Sequence, residues 1–146
     1  FLNGKSFTCT VYDQKTGDCV GYCAIKDIEI PDWELAIELK PEWCHKGYGT
    51  EVVSLFLKRL AKVTGKRFFR ARVATDNYAS QALMKKLGAS PNGVSQLLLR
   101  GEALEEFRRE HQDMIDGRFR KLADEFGVEL EEMLGNVLEY RLDVKE

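Results

Sequence analysis

The chain has 146 residues, 44% of them hydrophobic, with 22 Lys and Arg against 24 Asp and Glu and a formal net charge of −2. This length and balance suit one ordinary globular core, read here as a single domain over 1–146. No apolar run approaches bilayer length and no signal peptide is visible, so the expectation is a cytoplasmic protein with no membrane partner.

In chain order, 6–12 and 19–25 are rich in strand-forming residues and flank a turn at 13–18, which makes a hairpin. Residues 27–32 are polar and broken by Pro31. A third strand is predicted over 33–39, with Leu35, Ile37 and Leu39 on one face and Glu34, Ala36 and Glu38 on the other. Val52, Val53, Phe56, Leu57, Leu60 and Val63 recur at helical spacing over 51–64, and Gly65 ends that helix. A fourth strand follows at 67–74. Thr75, Asp76 and Asn77 then offer capping oxygens to a second helix that Gly88 stops. Residues 94–99 read as a further strand. A helical stripe runs from Leu104 through Phe107, Met114, Phe119 and Phe126, with Gly117 a point where it can break, and 137–144 reads as the last strand. The pattern is one α/β domain with a helical insertion at about 101–135 before its final strand.

The segment Pro41-Glu42-Trp43-Cys44-His45-Lys46-Gly47-Tyr48-Gly49-Thr50 joins the third strand to the first helix. Two glycines at such a junction let several N–H groups turn outward together at the positive end of a helix dipole, a seat for phosphate. It is not a Walker loop, because Gly49 precedes Thr50 and Glu51 rather than Lys and Ser. Nor is it a dinucleotide fingerprint, because Val52 stands where a small residue is needed. The charge distribution supports a polyphosphate ligand: 45–87 carries ten bases and two acids, whereas 1–44 carries four and eight and 88–146 carries eight and fourteen. The four cysteines, Cys9, Cys19, Cys23 and Cys44, lack zinc-ribbon spacing, so reduced thiols are expected and no metal.

The order of elements and two motifs resemble the GNAT superfamily of acetyl-coenzyme A-dependent N-acetyltransferases. Leu35 to Thr50 resembles that family's strand followed by Arg/Gln-x-x-Gly-x-Gly/Ala. Asn77-x-x-Ser80-x-x-Leu83-Met84-Lys85-Lys86-Leu87-Gly88 resembles its Asn-x-x-Ala-x-x-Leu-Tyr-x-Lys-Leu-Gly. The resemblance implies a mixed, mostly antiparallel central sheet with flanking helices. It implies acetyl-coenzyme A as co-substrate, its pyrophosphate on the main chain of Cys44, His45, Lys46, Gly47, Tyr48, Gly49 and Thr50. Its pantetheine arm would lie along Ile37, Glu38 and Leu39, with further contacts from Asn77, Ser80 and Met84. Glu34 is the candidate base that takes a proton from the amine, and Glu38 is second. On the bland reading Glu34 solvates an outer sheet face and Asn77 caps a helix.

Three residues depart from the family pattern. Cys44 replaces Arg or Gln, Met84 replaces a tyrosine that protonates the departing thiolate, and Arg72 stands where some ribosomal-protein acetyltransferases place a glutamate. Water, or the hydroxyl of Tyr78 or Tyr140, is the alternative source of that proton. The implied reaction is acetyl transfer to a primary amine of a small molecule or a protein N-terminus, with a weaker likeness to the ribosomal-protein subgroup. The alternative is a coenzyme A-binding domain without catalysis. Binding to DNA through 118–128 is disfavoured, since 118–146 holds five bases and eight acids. The insertion would cover the acceptor cleft or form a dimer face. Family members begin with a further strand and one or two helices, so such elements are expected upstream of Phe1 unless the insertion replaces them.

Overall fold

The computed structural model describes residues 6–96 and 99–144. It contains six strands and five α-helices: β1 (Ser6–Tyr12), β2 (Cys19–Lys26), β3 (Glu34–Leu39), α1 (Tyr48–Thr64), β4 (Phe68–Val73), α2 (Tyr78–Lys86), β5 (Ser90–Ser95), α3 (Gly101–Glu110), α4 (Gly117–Phe126), α5 (Leu130–Met133) and β6 (Val137–Asp143). The strands form one sheet in the order β1-β2-β3-β4-β6-β5. Every neighbouring pair is antiparallel except β3 and β4.

Local chemistry sets the connections. The β1–β2 turn closes because Asp13 Oδ2 accepts from Thr16 N at 2.9 Å and Gly17 takes a φ of 77°, which costs a glycine nothing. Asn77 caps α2 by accepting from Ser80 N at 3.1 Å, and Asp116 caps α4 by accepting from Phe119 N at 2.9 Å.

One face of the sheet is apolar. Phe69, Ala71 and Val73 of β4 stand opposite Leu142, Tyr140 and Leu138 of β6, beside Ile25 and Leu35. Val53 and Leu57 of α1, Met84 of α2, and Phe119, Leu122 and Phe126 of α4 close the same core. These follow the stripes that helical spacing leads one to expect, except that Val63 of α1 is exposed. The other face carries charge: Glu34, Arg70, Arg72 and Glu139 meet there in ion pairs.

Two elements differ from the sequence expectation. The fifth strand is Ser90–Ser95, not 94–99, and it lies on the edge with a register shift between Pro91 and Val94. An edge strand tolerates Pro91 because its outward side needs no N–H. The remainder of the expected strand falls partly on 97–98, outside the described residues. The stripe over the insertion divides earlier than Gly117, where the sequence offers a break: α3 already ends at Glu110, and α4 starts at Gly117 with Asp116 as its cap.

Candidate active site

The parallel pair β3–β4 is registered at Glu34↔Arg70 alone, supported by Arg70 N donating to Trp33 O at 2.9 Å. Beyond that point the two strands part. Main-chain direction alternates along a strand. Lys40 N donates to Val20 O at 2.8 Å, and Trp33 O faces β4. Even-numbered residues of β3 therefore direct their N–H and C=O groups at β2, and those of Ile37 and Leu39 face the gap. A ligand with amide groups entering this gap can pair with them as an added strand would.

At the end of β3 the chain makes a short 3-10 turn (Pro41–Trp43) and enters the glycine segment. His45 and Gly47 have φ of 61° and 84°, and Gly47 caps α1 without any side-chain bond. A non-glycine residue in the left-handed region is uncommon and marks a backbone held for a purpose. Among the described residues, the backbone N–H groups of 45–50 find no acceptor; the first α1 bond to this segment is Glu51 N to Gly47 O at 3.3 Å. Unpartnered donors at the start of a 17-residue helix form an anion seat through both their N–H groups and the helix dipole.

Four of these residues, His45, Gly47, Gly49 and Thr50, line a cavity of about 470 Å³. Its walls are Ile37 and Leu39 of β3, Cys44 to Thr50 of the turn in part, and the α2 face Tyr78, Ala79, Ser80, Ala82, Leu83 and Lys86. Gly49 keeps it open: an added Cβ would lie 3.4 Å from Leu83 Cδ1 and 3.8 Å from Leu39 Cδ1. Cys44 donates through Sγ to Lys40 O at 3.5 Å and contributes no charge.

The structure divides the sequence-derived site residues into three groups. Ile37, Leu39, Cys44, His45, Gly47, Gly49, Thr50 and Ser80 meet at the cavity. Lys46 and Tyr48 contribute main chain to the turn while their side chains go elsewhere: Tyr48 packs edge-on to Trp43 with centroids 5.1 Å apart, and Lys46 Nζ lies 5.8 Å from the same ring. Asn77, Met84, Glu34 and Glu38 are not on the cavity wall. Asn77 is occupied as a cap. Met84 is 2% exposed and points into the core, so this position is a packing residue here.

Glu34 is 7% exposed, and its two oxygens accept from Arg72 Nε and from Arg72 Nη2, the latter at 3.3 Å. Arg70 Nε approaches Glu34 to 3.6 Å. The Arg72 guanidinium, held above its usual range first by its bond to Glu34, stays charged. Glu34 is thus an anchor at the closed end of the gap. Glu38 stands at the open end, exposed, accepting from Tyr22 OH at 2.8 Å. That bond raises the Tyr22 phenol above its ordinary value, its hydrogen bond to Glu38 being the main cause. Tyr140 is 5% exposed, stacked edge-on against Phe126, and pushed up to about 12, chiefly by burial. Tyr78, by contrast, lines the cavity and is 42% exposed.

Sequence reasoning singled out Tyr78 only as a hydroxyl and Leu83 and Lys86 only as motif positions, and it missed Ala79 and Ala82; all five line the cavity. The spacing of 79, 82, 83 and 86 is one helical stripe, and its small residues were the available signal. Among the described residues there is no cluster of three or more metal-ligating side chains.

Solved structures share this fold at low identity. The spermidine N-acetyltransferase of Vibrio cholerae, in complex with coenzyme A and spermine, matches with a TM-score of 0.63 and 13% identity over 97% of this chain and 67% of that one. The ribosomal-protein-S5-alanine acetyltransferase of Vibrio fischeri matches at 0.63 and 12%, over 97% and 63%. A ribosomal L7/L12 α-N-protein acetyltransferase in complex with coenzyme A matches at 0.65 and 12%, over 97% and 63%. The chain thus spans 63–67% of the length of these proteins. No curated protein matches it by sequence. Residues 1–90, more than half of the chain, match the model of the acetyltransferase (GNAT) domain, and the chain belongs to that family.

Proposed function

We propose that this chain carries the cofactor site and reaction centre of an N-acetyltransferase that moves an acetyl group from acetyl-coenzyme A to a primary amine. The observation that carries this reading is the fan of unpartnered N–H groups at 45–50, opening onto a cavity that leads to the gap between β3 and β4. The fan suits a diphosphate, and the Ile37 main-chain groups and the Leu39 N–H that face the gap suit an amide-containing arm; the Leu39 carbonyl accepts from Cys44 Sγ at 3.8 Å. The apolar α2 face packs against that arm's length. Bound there, acetyl-coenzyme A extends its acyl thioester into the gap beside Ile37.

Glu38 is the base in this reading, in preference to Glu34. An amine arrives as an ammonium ion; a carboxylate both holds the cation and removes its proton, a contribution of about 10²- to 10⁴-fold. Glu34 is committed to Arg72. Glu38 has capacity left beyond its single bond from Tyr22. The departing sulfur takes its proton from water, since the buried Met84 offers none. The acceptor class, a polyamine or a protein N-terminus, is drawn from what the structural neighbours act on.

The test is thiol release from acetyl-coenzyme A by the purified chain with spermidine and with peptides bearing free N-terminal Ala or Ser. Amine-dependent release that falls with Glu38→Gln supports the assignment. A second reading, cofactor binding without catalysis, is favoured by the commitment of Glu34 and the burial of Met84. It requires measurable acetyl-coenzyme A binding with no release for any amine. Absence of binding removes both.

A further inference from the structure

We propose that Arg118, contributed by the segment between β5 and β6, is an anion-binding residue of the cofactor cavity that takes a phosphate or carboxylate oxygen of the bound cofactor. This rests on the acyl-coenzyme reading above. Residues 101–134 hold eleven acids and five bases, yet three of those bases, Arg118, Arg120 and Lys121, crowd the start of α4. Asp116 fixes the entry to that helix through Phe119 N, and Phe119 is buried in the core, so the backbone at position 118 is set by packing.

From there the Arg118 guanidinium carbon reaches to 3.3 Å from the centroid of the Tyr78 ring. Tyr78 is itself a wall of the 470 Å³ cavity. Arg118 is exposed and, among the described residues, enters no ion pair or hydrogen bond. Ring stacking orders a guanidinium without using any of its N–H groups, which all lie in its plane and remain free to donate. The result is a positioned cation at the cavity rim whose charge no carboxylate offsets. Lys86 lies at the far end of α2, about 12 Å along the helix. The diphosphate is already assigned to the N–H groups of 45–50. The anionic groups left for Arg118 are the ribose phosphate of the cofactor or an acid group at the end of its acyl chain.

Titration calorimetry on the whole chain with acetyl-coenzyme A, its 3′-dephospho analogue and succinyl-coenzyme A tests this in the wild type, Arg118→Gln and Arg118→Lys. Loss of one charge-assisted contact is expected to weaken binding about tenfold in Arg118→Gln, with much of it restored in Arg118→Lys. A loss for acetyl-coenzyme A that disappears with the dephospho analogue identifies the ribose phosphate. A loss confined to succinyl-coenzyme A identifies an acyl carboxylate. Unchanged affinity for all three ligands overturns the proposal, as does a uniform loss that Arg118→Lys fails to restore, which would leave only packing on Tyr78. If the wild type binds none of them, the cofactor reading itself has failed. Circular dichroism and a thermal melt verify that the exposed substitution leaves the fold intact.

Discussion

Replacing Gly21 with alanine probes the geometry that aims the reaction centre. Gly21 lies on β2 opposite Leu39, next to the Tyr22↔Glu38 pair. A Cβ there would stand 2.0 Å from Glu38 O, 2.8 Å from Leu39 Cα and 3.0 Å from Glu38 C, all main-chain atoms that cannot swing aside. Ordinary contact begins at 3.4 Å, so β2 and β3 must part by more than an ångström to admit one methyl group. Overpacking of this kind costs about 1–3 kcal/mol. The one or two ladder bonds stretched with it add about 0.5–1.5 kcal/mol each. A total of about 2–5 kcal/mol would lower the melting temperature by roughly 5–15 °C in a domain of this size. Gly17→Ala is the control, because nothing lies within 4 Å of its added Cβ and only the φ of 77° opposes it, at about 1 kcal/mol. Urea unfolding of both variants, alongside acetyl-coenzyme A affinity, makes the comparison. Gly21→Ala should be the less stable of the two and should also bind the cofactor more weakly, because Leu39 moves. Equal stabilities would refute the close approach of β2 to β3.

Glu34→Gln and Glu38→Gln should separate cleanly: the first leaves Arg72 half-paired and costs about 1–3 kcal/mol in urea unfolding with little change in kcat. The second leaves stability alone and lowers kcat about 10²-fold or more. A large kcat loss in Glu34→Gln with unchanged stability would reverse these roles. Gly49→Val fills the cavity between Leu39 and Leu83 and is expected to weaken acetyl-coenzyme A binding at least tenfold while α1 still folds; unchanged affinity would place the cofactor elsewhere. Alkaline pH should destabilise the fold. Burial, and secondarily Cys9, pushes the Cys23 thiol up to about 12, and Tyr140 is likewise raised to about 12. Both groups keep their protons in the folded state when the unfolded chain has released them, so the unfolded state gains as pH rises through the unfolded values toward about 12. Each contributes at most about 1.4 kcal/mol per pH unit, beginning with Cys23. Urea midpoints between pH 8 and 10 should fall in the wild type and flatten in Cys23→Ala. A midpoint that holds steady in the wild type would contradict this.

Much of this fold was legible because its signals are local. The hairpin turn at Asp13–Asp18, the helical stripe of α1, and the Asn77 cap each rest on residues within a few positions of one another. The glycine turn was legible as a turn for the same reason. What the chain order hid was non-local. Glu34 and Arg72 are 38 residues apart, and only the parallel meeting of β3 with β4 brings them into contact, so their pairing could not be read from either segment alone. Met84 and Tyr78 lie on one helix, and only the packing of α2 decides that the first faces the core and the second the cavity. The edge strand Ser90–Ser95 was obscured by Pro91, Asn92 and Gly93, which read locally as a turn. It forms because β6 offers Val137 and Leu138 as partners.

The central claim concerns amide hydrogens, and those can be watched one at a time. In a 15N-labelled sample titrated with acetyl-coenzyme A, the amide resonances of 46–50 should move most, downfield, as their N–H groups gain phosphate acceptors. If those signals stay still while the ligand binds, the turn is not the seat of the diphosphate and the account fails.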